Sequence, residues 1–378
     1  MAGIYIHIPF CRKACNYCNF HFSTSLRGKN DFIRALLKEI ELTPHFEGDP
    51  GIETVYFGGG TPSLLDRGEL GEIIESIQKK FNISQNAEVT LESNPDDIHH
   101  YILKDWLGLG VNRLSLGVQS FYDVDLEWMN RAHNSDQAKK SIQLIKDAGF
   151  SNFSADLIYG MPTLSDDHWR RNVDAMIEFD VPHLSCYALT VEPRTALSKM
   201  ILTKQVRDVD PEQQAEQFLM LIKWLREAGY EHYEISNFAM PGMRSRHNSS
   251  YWRGKWYYGF GPSAHSFSGA ERKWNVTNNA LYQQSLLQNI IPTETEEISA
   301  TQQLNEYVMV SLRTSAGIDL GHVEEKFGRE EKTRIQQTGI KYIGAAKLVE
   351  EEGFLKLTDE GKLFADGIAA DLFKVQSS

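Results

Sequence analysis

Cys11, Cys15 and Cys18 stand within eight residues of one another in IPFCRKACNYCNF, and they are three of only four cysteines in the chain. Thiols bunched in this way suit soft ligation of an iron–sulfur cluster or of zinc, whereas a disulfide framework wants an even, dispersed set. Cys186 lies far off in sequence. Three thiolates are one short of the usual four for a cluster, so either another residue completes the shell or one iron stays open to a ligand. Two other arrangements share the spacing. Positions i, i+4 and i+7 describe one stripe of an amphipathic helix. Against that, Pro9 stands just ahead, and the poor helix formers Asn16, Tyr17, Asn19 and Phe20 favour a loop after the strand-like GIYIHI run. A structural zinc site of the Cys3His type would recruit His7 or His21.

Other segments carry chemistry only collectively. Gly58, Gly59, Gly60, Thr61 and Pro62 follow a strand-like run, and glycines let the backbone pass close to a ligand with its N–H groups exposed. A tight turn reads the same way, and the Gly-Lys-Ser/Thr ending of a P-loop is missing. Gly259 to Ala264 imitates a dinucleotide fingerprint but follows an aromatic loop rather than a βα entry. Glu92, Gln119, Arg131 and Asp156 fall near the ends of strand-like runs. A carboxylate accepts bonds from hydroxyl or ammonium groups, a glutamine bonds in both directions, and an arginine grips a carboxylate by a planar fork.

The elements that would position these residues alternate from the start to about residue 235. Strand-like runs are GIYIHI from Gly3, ETVYFG from Glu53, AEVTLES from Ala87, VNRLSLG from Val111, NFSADLIYG from Asn152 and HLSCYAL from His183, with YEHYEI from Tyr230 as a seventh. Helical patterns begin near Asn30, after Asp66 with Glu69 placed for a capping box, after Ser135 and near Ser165. Such alternation predicts parallel strands joined by crossover helices, in a doubly wound sheet or a full or partial (β/α) barrel. In a barrel, chemistry collects after the carboxyl ends of the strands, which would bring the glycine run and the four polar residues to one rim with the cysteine loop.

After residue 235 the character changes to the aromatic and glycine-rich SRHNSSYWRGKWYYGFGPSAHSF. Helical patterns follow near 299–313, 319–327 and 340–350, and GFLKLTDEGKLFADGIAADLF reads as a short strand, a turn and a last helix. The organisation expected is a barrel over 1–235, a connecting segment over 236–295 and a small, mostly helical, winged-helix-like domain over 296–378. With 378 residues, 41% hydrophobic content and a formal charge of −12, the chain is globular and offers no electrostatic footprint for nucleic acid. No stretch approaches the roughly 20 apolar residues that span a bilayer, and MAGIYIHIPF lacks the features of a secretory signal. A cytoplasmic location is expected, and a reducing compartment suits clustered thiols.

Taken together the motifs resemble the radical S-adenosylmethionine family, in the branch that holds the oxygen-independent coproporphyrinogen III dehydrogenases and the heme chaperones. The resemblance runs over essentially the whole chain. It implies a partial (β/α)6-type barrel in which Cys11, Cys15 and Cys18 hold a [4Fe-4S] cluster whose open iron takes S-adenosylmethionine. Tyr5, Gly59, Gly60, Thr61, Glu92, Gln119, Arg131 and Asp156 match cofactor-contacting positions in order and spacing. The dehydrogenases carry a further Cys two residues after the third ligand, where this chain has Phe20. His247-Asn248-Ser249-Ser250-Tyr251-Trp252 looks like the HNxxYW motif of the heme chaperones. The resemblance thus implies heme binding with His247 as the leading contact and His265 as a second. A histidine nitrogen can hold heme iron, and Tyr251, Trp252, Trp256, Tyr257 and Tyr258 offer faces to a macrocycle; on physical grounds alone the better reading is that His247 caps a loop and these rings form an interdomain core. Delivery of heme to respiratory acceptor proteins, transient contact with a membrane surface and a homodimer complete the expectation. Oxidative decarboxylation of coproporphyrinogen is the rival activity.

Overall fold

In AGIYIHI the isoleucines Ile4, Ile6 and Ile8 fall on one face and Tyr5 and His7 on the other, and this period of two sets the architecture. The computed structural model, which describes residues 2–48 and 50–375, forms the run into β1 (Ala2–Ile8). The chain continues through α1 (Lys29–Leu42), β2 (Ile52–Gly59), α2 (Arg67–Lys80), β3 (Ile83–Ser93), α3 (His100–Gly108), β4 (Arg113–Gln119), α4 (Asp123–Trp128), α5 (Ser135–Asp147), β5 (Phe153–Tyr159), α6 (Asp166–Glu178) and β6 (His183–Ala188). The six strands are parallel and adjacent in chain order, each returned by a helical crossover.

Phe57, Leu91, Leu116, Leu157 and Leu184 point outward and are fully buried beneath the helices. Each such side chain contributes about 1.5–3 kcal/mol by leaving water. The inward residues are polar: Thr54 and Tyr56, Glu88 and Glu92, Arg113 and Ser115, Ser154 and Asp156. Parallel strands covered on both faces by apolar layers would read as continuous hydrophobic runs. These alternate because the sheet curls around a polar lumen, across which Glu92 on β3 senses Asp156 on β5 and Tyr56 on β2 senses Tyr187 on β6. The architecture is α/β, a partial barrel.

The helix starts follow local chemistry. Asp66 accepts from the Glu69 amide at 2.9 Å while the Glu69 carboxylate accepts from the Asp66 amide at 2.8 Å, which is the expected capping box. Asn134 and Gln137 form a second one at α5, and Ser165 caps α6.

The segment 236–295, expected as a connection, instead extends the sheet. After α7 (Ala196–Leu202), α8 (Pro211–Glu227) and the antiparallel pair β7 (Glu231–Glu234) and β8 (Asn237–Ala239), the chain forms α9 (Arg246–Trp252) and crosses to the opposite edge. There β9 (Trp256–Phe260) lies parallel to β1, and β10 (His265–Phe267) and β11 (Glu271–Asn275), then α10 (Asn279–Leu287) and β12 (Thr293–Glu297), complete a twelve-stranded sheet in the order β12-β11-β10-β9-β1-β2-β3-β4-β5-β6-β8-β7. Tyr258, Phe260, Tyr282 and Leu286 belong to the barrel's own core. Glycine explains why the strand was hard to read: a Cβ at Gly259 would sit 1.9 Å from the His265 carbonyl oxygen, so the β9–β10 approach excludes every side chain at that point.

The C-terminal part has a separate core of Leu304, Val308, Val323, Ile335, Leu355 and Ile368. It comprises α11 (Ala300–Leu312), β13 (Ile318–Asp319), α12 (Leu320–Phe327), α13 (Arg329–Gly344), β14 (Leu348–Glu351), β15 (Phe354–Leu357), α14 (Asp359–Lys362) and α15 (Ala365–Leu372). The helix expected over 340–350 is corrected. It begins at Arg329 and stops at Gly344, Ala346 turns left-handed at φ 56°, and the chain enters a hairpin whose corner, Glu352 and Gly353, has φ 51° and 83°. Two positive φ values in a two-residue corner define the turn that matches strand twist. Helices with a small three-stranded sheet give the winged-helix-like form.

Candidate iron–sulfur and cofactor site

β1 delivers the cysteine loop at its carboxyl end. The Cys11 amide donates to the Ser23 carbonyl at 3.0 Å and the Ser23 amide to the Pro9 carbonyl at 2.9 Å, which closes residues 11–23 into one loop. The thiols of Cys11, Cys15 and Cys18 are free and partly exposed. Thr61 donates its amide to the Phe10 carbonyl at 2.7 Å and Gly60 to the Ile8 carbonyl at 2.9 Å, so the glycine run clamps the loop's entry. Only glycine fits at position 60, where a Cβ would lie 2.6 Å from the Phe10 carbonyl oxygen. The turn after α4 holds the loop from the far side: Asn130 donates to the Ala14 carbonyl at 2.8 Å, and Lys13 to the Arg131 carbonyl at 3.0 Å.

Burial pushes the Cys11 thiol up to about 11, with the Thr61 hydroxyl opposing. An unliganded Cys11 is therefore a thiol at neutral pH, and it is metal coordination that would take its proton. Of the two histidines expected for a zinc site, His7 has both ring nitrogens engaged and His21 only its Nε2. His7 is hydrogen-bonded through Nε2 to the His21 carbonyl at 2.8 Å and through Nδ1 to the Tyr5 hydroxyl at 3.2 Å, and His21 Nε2 is bonded to Asn279 Oδ1 at 2.7 Å. Among the described residues no three His, Cys, Asp or Glu side chains converge on a point for a single ion. A cluster spreads its thiolates over separate irons and asks for no such convergence.

The predicted rim residues come together below the loop. Glu92 accepts from the Tyr56 hydroxyl at 2.8 Å and from the Gly59 amide at 3.2 Å. Burial pushes its carboxyl up to about 7, the Tyr56 bond opposing and the Asp156 charge adding to the rise. Burial likewise carries Asp156 to about 7, against a bond from Ser185. Two enclosed carboxyls of this kind favour a cationic or hydroxyl-bearing guest. Arg131 donates to Cys15 Sγ at 3.3 Å, to Asn94 Oδ1 at 2.7 Å and to the Gly117 carbonyl at 2.7 Å. Its Nε and the Oε1 of Gln119 are buried without a partner among the described residues, and Gln119 holds a left-handed φ of 69°. One unspent donor and one unspent acceptor beside three thiols fit a ligand carrying both amino and carboxylate groups. The residues thus fit both the cluster and S-adenosylmethionine.

Tyr5 faces the lumen one step from this group, stacked on Tyr56 at 6.1 Å. Asn94, which the sequence marks only as part of the Glu92-Ser93-Asn94-Pro95 segment at the rim, accepts from Arg131 and donates to Thr61 Oγ1 at 3.3 Å. Its signal was the Asn-Pro pair ending β3.

His247, the leading heme contact expected from the resemblance, lies on α9 in the barrel lumen. It is 1% exposed in the lumen, with Nδ1 bonded to Thr54 Oγ1 at 2.8 Å, Nε2 to the Tyr251 hydroxyl at 2.9 Å and its ring stacked on Tyr56 at 4.9 Å. Burial lowers its pKa to about 3, so it is neutral. Glu88 accepts the Arg246 and His247 amides at 3.1 and 2.9 Å and seats α9 there. Both ring nitrogens of His247 are thus hydrogen-bonded in this arrangement.

A curled parallel sheet with a polar lumen and a three-cysteine loop at its carboxyl rim defines a radical S-adenosylmethionine protein. Residues 5–176 match the Radical SAM superfamily and residues 298–364 the HemN C-terminal domain. The chain is 32% identical to the heme chaperone HemW of Bacillus subtilis, with 97% of this chain and 98% of that protein covered. It is 33% identical to heme chaperone HemW of Mycobacterium tuberculosis, covering 98% and 94%. Within the radical S-adenosylmethionine class, the chain belongs to the HemW family. Among solved structures, coproporphyrinogen III oxidase (HemN) from Escherichia coli shares the fold with a TM-score of 0.83 at 20% identity, covering 99% of this chain and 90% of that one.

Proposed function

We propose that this protein is a heme chaperone that binds a [4Fe-4S] cluster through Cys11, Cys15 and Cys18, binds S-adenosylmethionine at the rim of the lumen, and passes heme to acceptor proteins, respiratory enzymes among them. When bound, the cluster would supply an electron-transfer centre beside the amino and carboxylate groups of the cofactor. Arg131 and Gln119 meet those groups, Glu92 and Asp156 take the hydroxyl-bearing end, and Gly60 and Thr61 keep the cysteine loop in register. What carries the reading is likeness to curated heme chaperones over nearly the whole length of both chains, supported by Phe20 where the dehydrogenases have a further cysteine. No helix among the described residues is long and apolar enough to cross a membrane. The protein works in the cytoplasm, meets membrane-bound acceptors transiently at the surface, and pairs as a homodimer.

The test is anaerobic reconstitution followed by three measurements. About four irons and four sulfides per chain, an EPR signal of the reduced cluster altered by S-adenosylmethionine, and saturable binding of hemin support the reading. Conversion of coproporphyrinogen III to a decarboxylated product, without hemin binding, would replace it with the rival activity.

A further inference from the structure

At the end of the barrel opposite the cysteine loop, the amino ends of β1 and β2 and the helix α9 border a cavity of about 380 Å³. Ala2 opens β1 there, and Glu53 and Thr54 stand at the start of β2. Four cations, Arg244, Arg246, Arg253 and Lys255, line the cavity, and Glu53 is the one carboxylate among its lining residues. In a chain with a formal charge of −12, this local excess of positive charge runs against the composition.

Two of the cations are anchored and two are free. Arg244 donates through Nε to Glu231 at 2.9 Å and lies over the Tyr233 ring at 5.3 Å, which orients its guanidinium and leaves both terminal nitrogens to spend. Arg246 gives one N–H to the Asn86 carbonyl at 2.6 Å while Glu88 accepts its backbone amide, so this fork too is held with donors remaining. Arg253 and Lys255 are exposed and form no ion pair with any described residue. Ser249 adds a hydroxyl without a partner among the described residues, whereas Ser250 spends its own on the His247 carbonyl at 2.7 Å. Like charges gathered at one mouth repel, and an anion settling among them relieves that repulsion.

We propose that this cavity binds a phosphate-bearing anion. A carboxylate is planar and fills one arginine fork, whereas a phosphate carries more charge and offers oxygens in several directions, which suits two oriented forks, a third arginine, an ammonium and a hydroxyl. The volume is that of a small ligand site and admits a compact phosphorylated molecule. Gly242, Arg253 and Lys255 leave the mouth open to solvent. The phosphate therefore arrives either on a soluble molecule or on a lipid headgroup, and the same donors meet both. Thr54 in the cavity wall is bonded to His247 Nδ1 at 2.8 Å, so the occupant sits one side chain from the lumen without entering it. The site depends on neither the cluster nor heme.

The test compares cluster-loaded wild type with the double variant Arg253→Ala and Lys255→Ala under argon. Neither side chain holds another residue in place, so cluster absorbance and far-ultraviolet circular dichroism should be the same in both and report that the fold is retained. Fructose bisphosphate is titrated into each protein by calorimetry, with fructose as the unphosphorylated control. In a second arm, vesicles of anionic phosphatidylglycerol, with net-neutral phosphatidylcholine as control, are sedimented with each protein. The expected result is saturable binding of the bisphosphate to wild type that weakens at least tenfold in the double variant and falls with added salt, while fructose stays inert. No bisphosphate binding, together with sedimentation on phosphatidylglycerol that the double variant loses, supports the site and makes the headgroup its source. Equal behaviour of the two proteins toward both probes, bound or unbound, overturns the proposal.

Discussion

Glu39 ties α1 to the aromatic, glycine-rich segment, and it is the place to test how burial and hydrogen bonding compete. It is 2% exposed and accepts from the Gly261 amide at 2.8 Å, from the Asn275 side chain and from the Tyr282 hydroxyl, the one titratable group bonded to it. Burial, opposed by those three bonds, pushes its carboxyl up from 4.5 to about 7. A raised folded pKa means that the native state holds a proton the unfolded chain has released. The associated stability is complete below the unfolded pKa near 4.5 and is lost as pH rises through about 7. At about 1.4 kcal/mol per pH unit the gap is worth about 3 kcal/mol, of which about 2 kcal/mol falls between pH 5.5 and 8.5. Glu39→Gln, which imitates the protonated acid at every pH, should gain that amount on wild type over the interval. For a chain of this length that is about 3 °C in melting temperature. The assay is thermal melting of both proteins, cluster-loaded and under argon, at the two pH values. Glu39→Ala should lose several kcal/mol at either pH, because about 1–3 kcal/mol attends each buried donor left without an acceptor. Melting temperatures of wild type and Glu39→Gln that move in parallel would refute the reasoning: the carboxylate would then be ionised throughout, its three donors outweighing burial.

Gly60→Ala should prevent stable cluster assembly while the far-ultraviolet circular dichroism stays unchanged, because its Cβ would press on the Phe10 and Ile8 carbonyls that seat the cysteine loop; full iron and sulfide content would show that the contact is dispensable. Arg131→Ala strands Asn94 Oδ1 and the Gly117 carbonyl, so it should cost about 2–4 kcal/mol and weaken S-adenosylmethionine binding at least tenfold in an EPR titration, with Arg131→Lys intermediate. Undiminished affinity in the alanine variant would remove Arg131 from the cofactor site. His247→Ala leaves the Thr54 hydroxyl and the Tyr251 hydroxyl without their buried partner and should cost about 2–3 kcal/mol with the hemin Soret maximum unmoved; a shifted maximum would mark His247 as a ligand.

The strands β1 to β6 were legible because each writes its environment into its own residues. Ile4, Ile6 and Ile8 alternate with Tyr5 and His7, and the helices α2, α5 and α6 announce their starts in Asp66, Asn134 and Ser165. The cysteine loop was legible for the same reason, since ligand type and spacing lie within eight residues. Where a local cue was overridden, the reading slipped. Residues 340–350 carry helical spacing, but α13 ends at Gly344, a left-handed Ala346 turns the chain, and Leu348 opens the first strand of a hairpin.

What the sequence by itself determined is therefore the repeating βα pattern, the three-thiol loop and the set of polar residues at strand ends. Only the tertiary structure decided which of those polar groups still have bonds to give. Free valence is a long-range property: Glu39 is satisfied by residues more than 200 positions away, His247 meets Thr54 from 193 positions away, and His265 stays exposed on β10, beyond the β9 strand that lies along β1. The curl of the sheet sets those meetings, and curl is a sum over many strands that no single segment encodes.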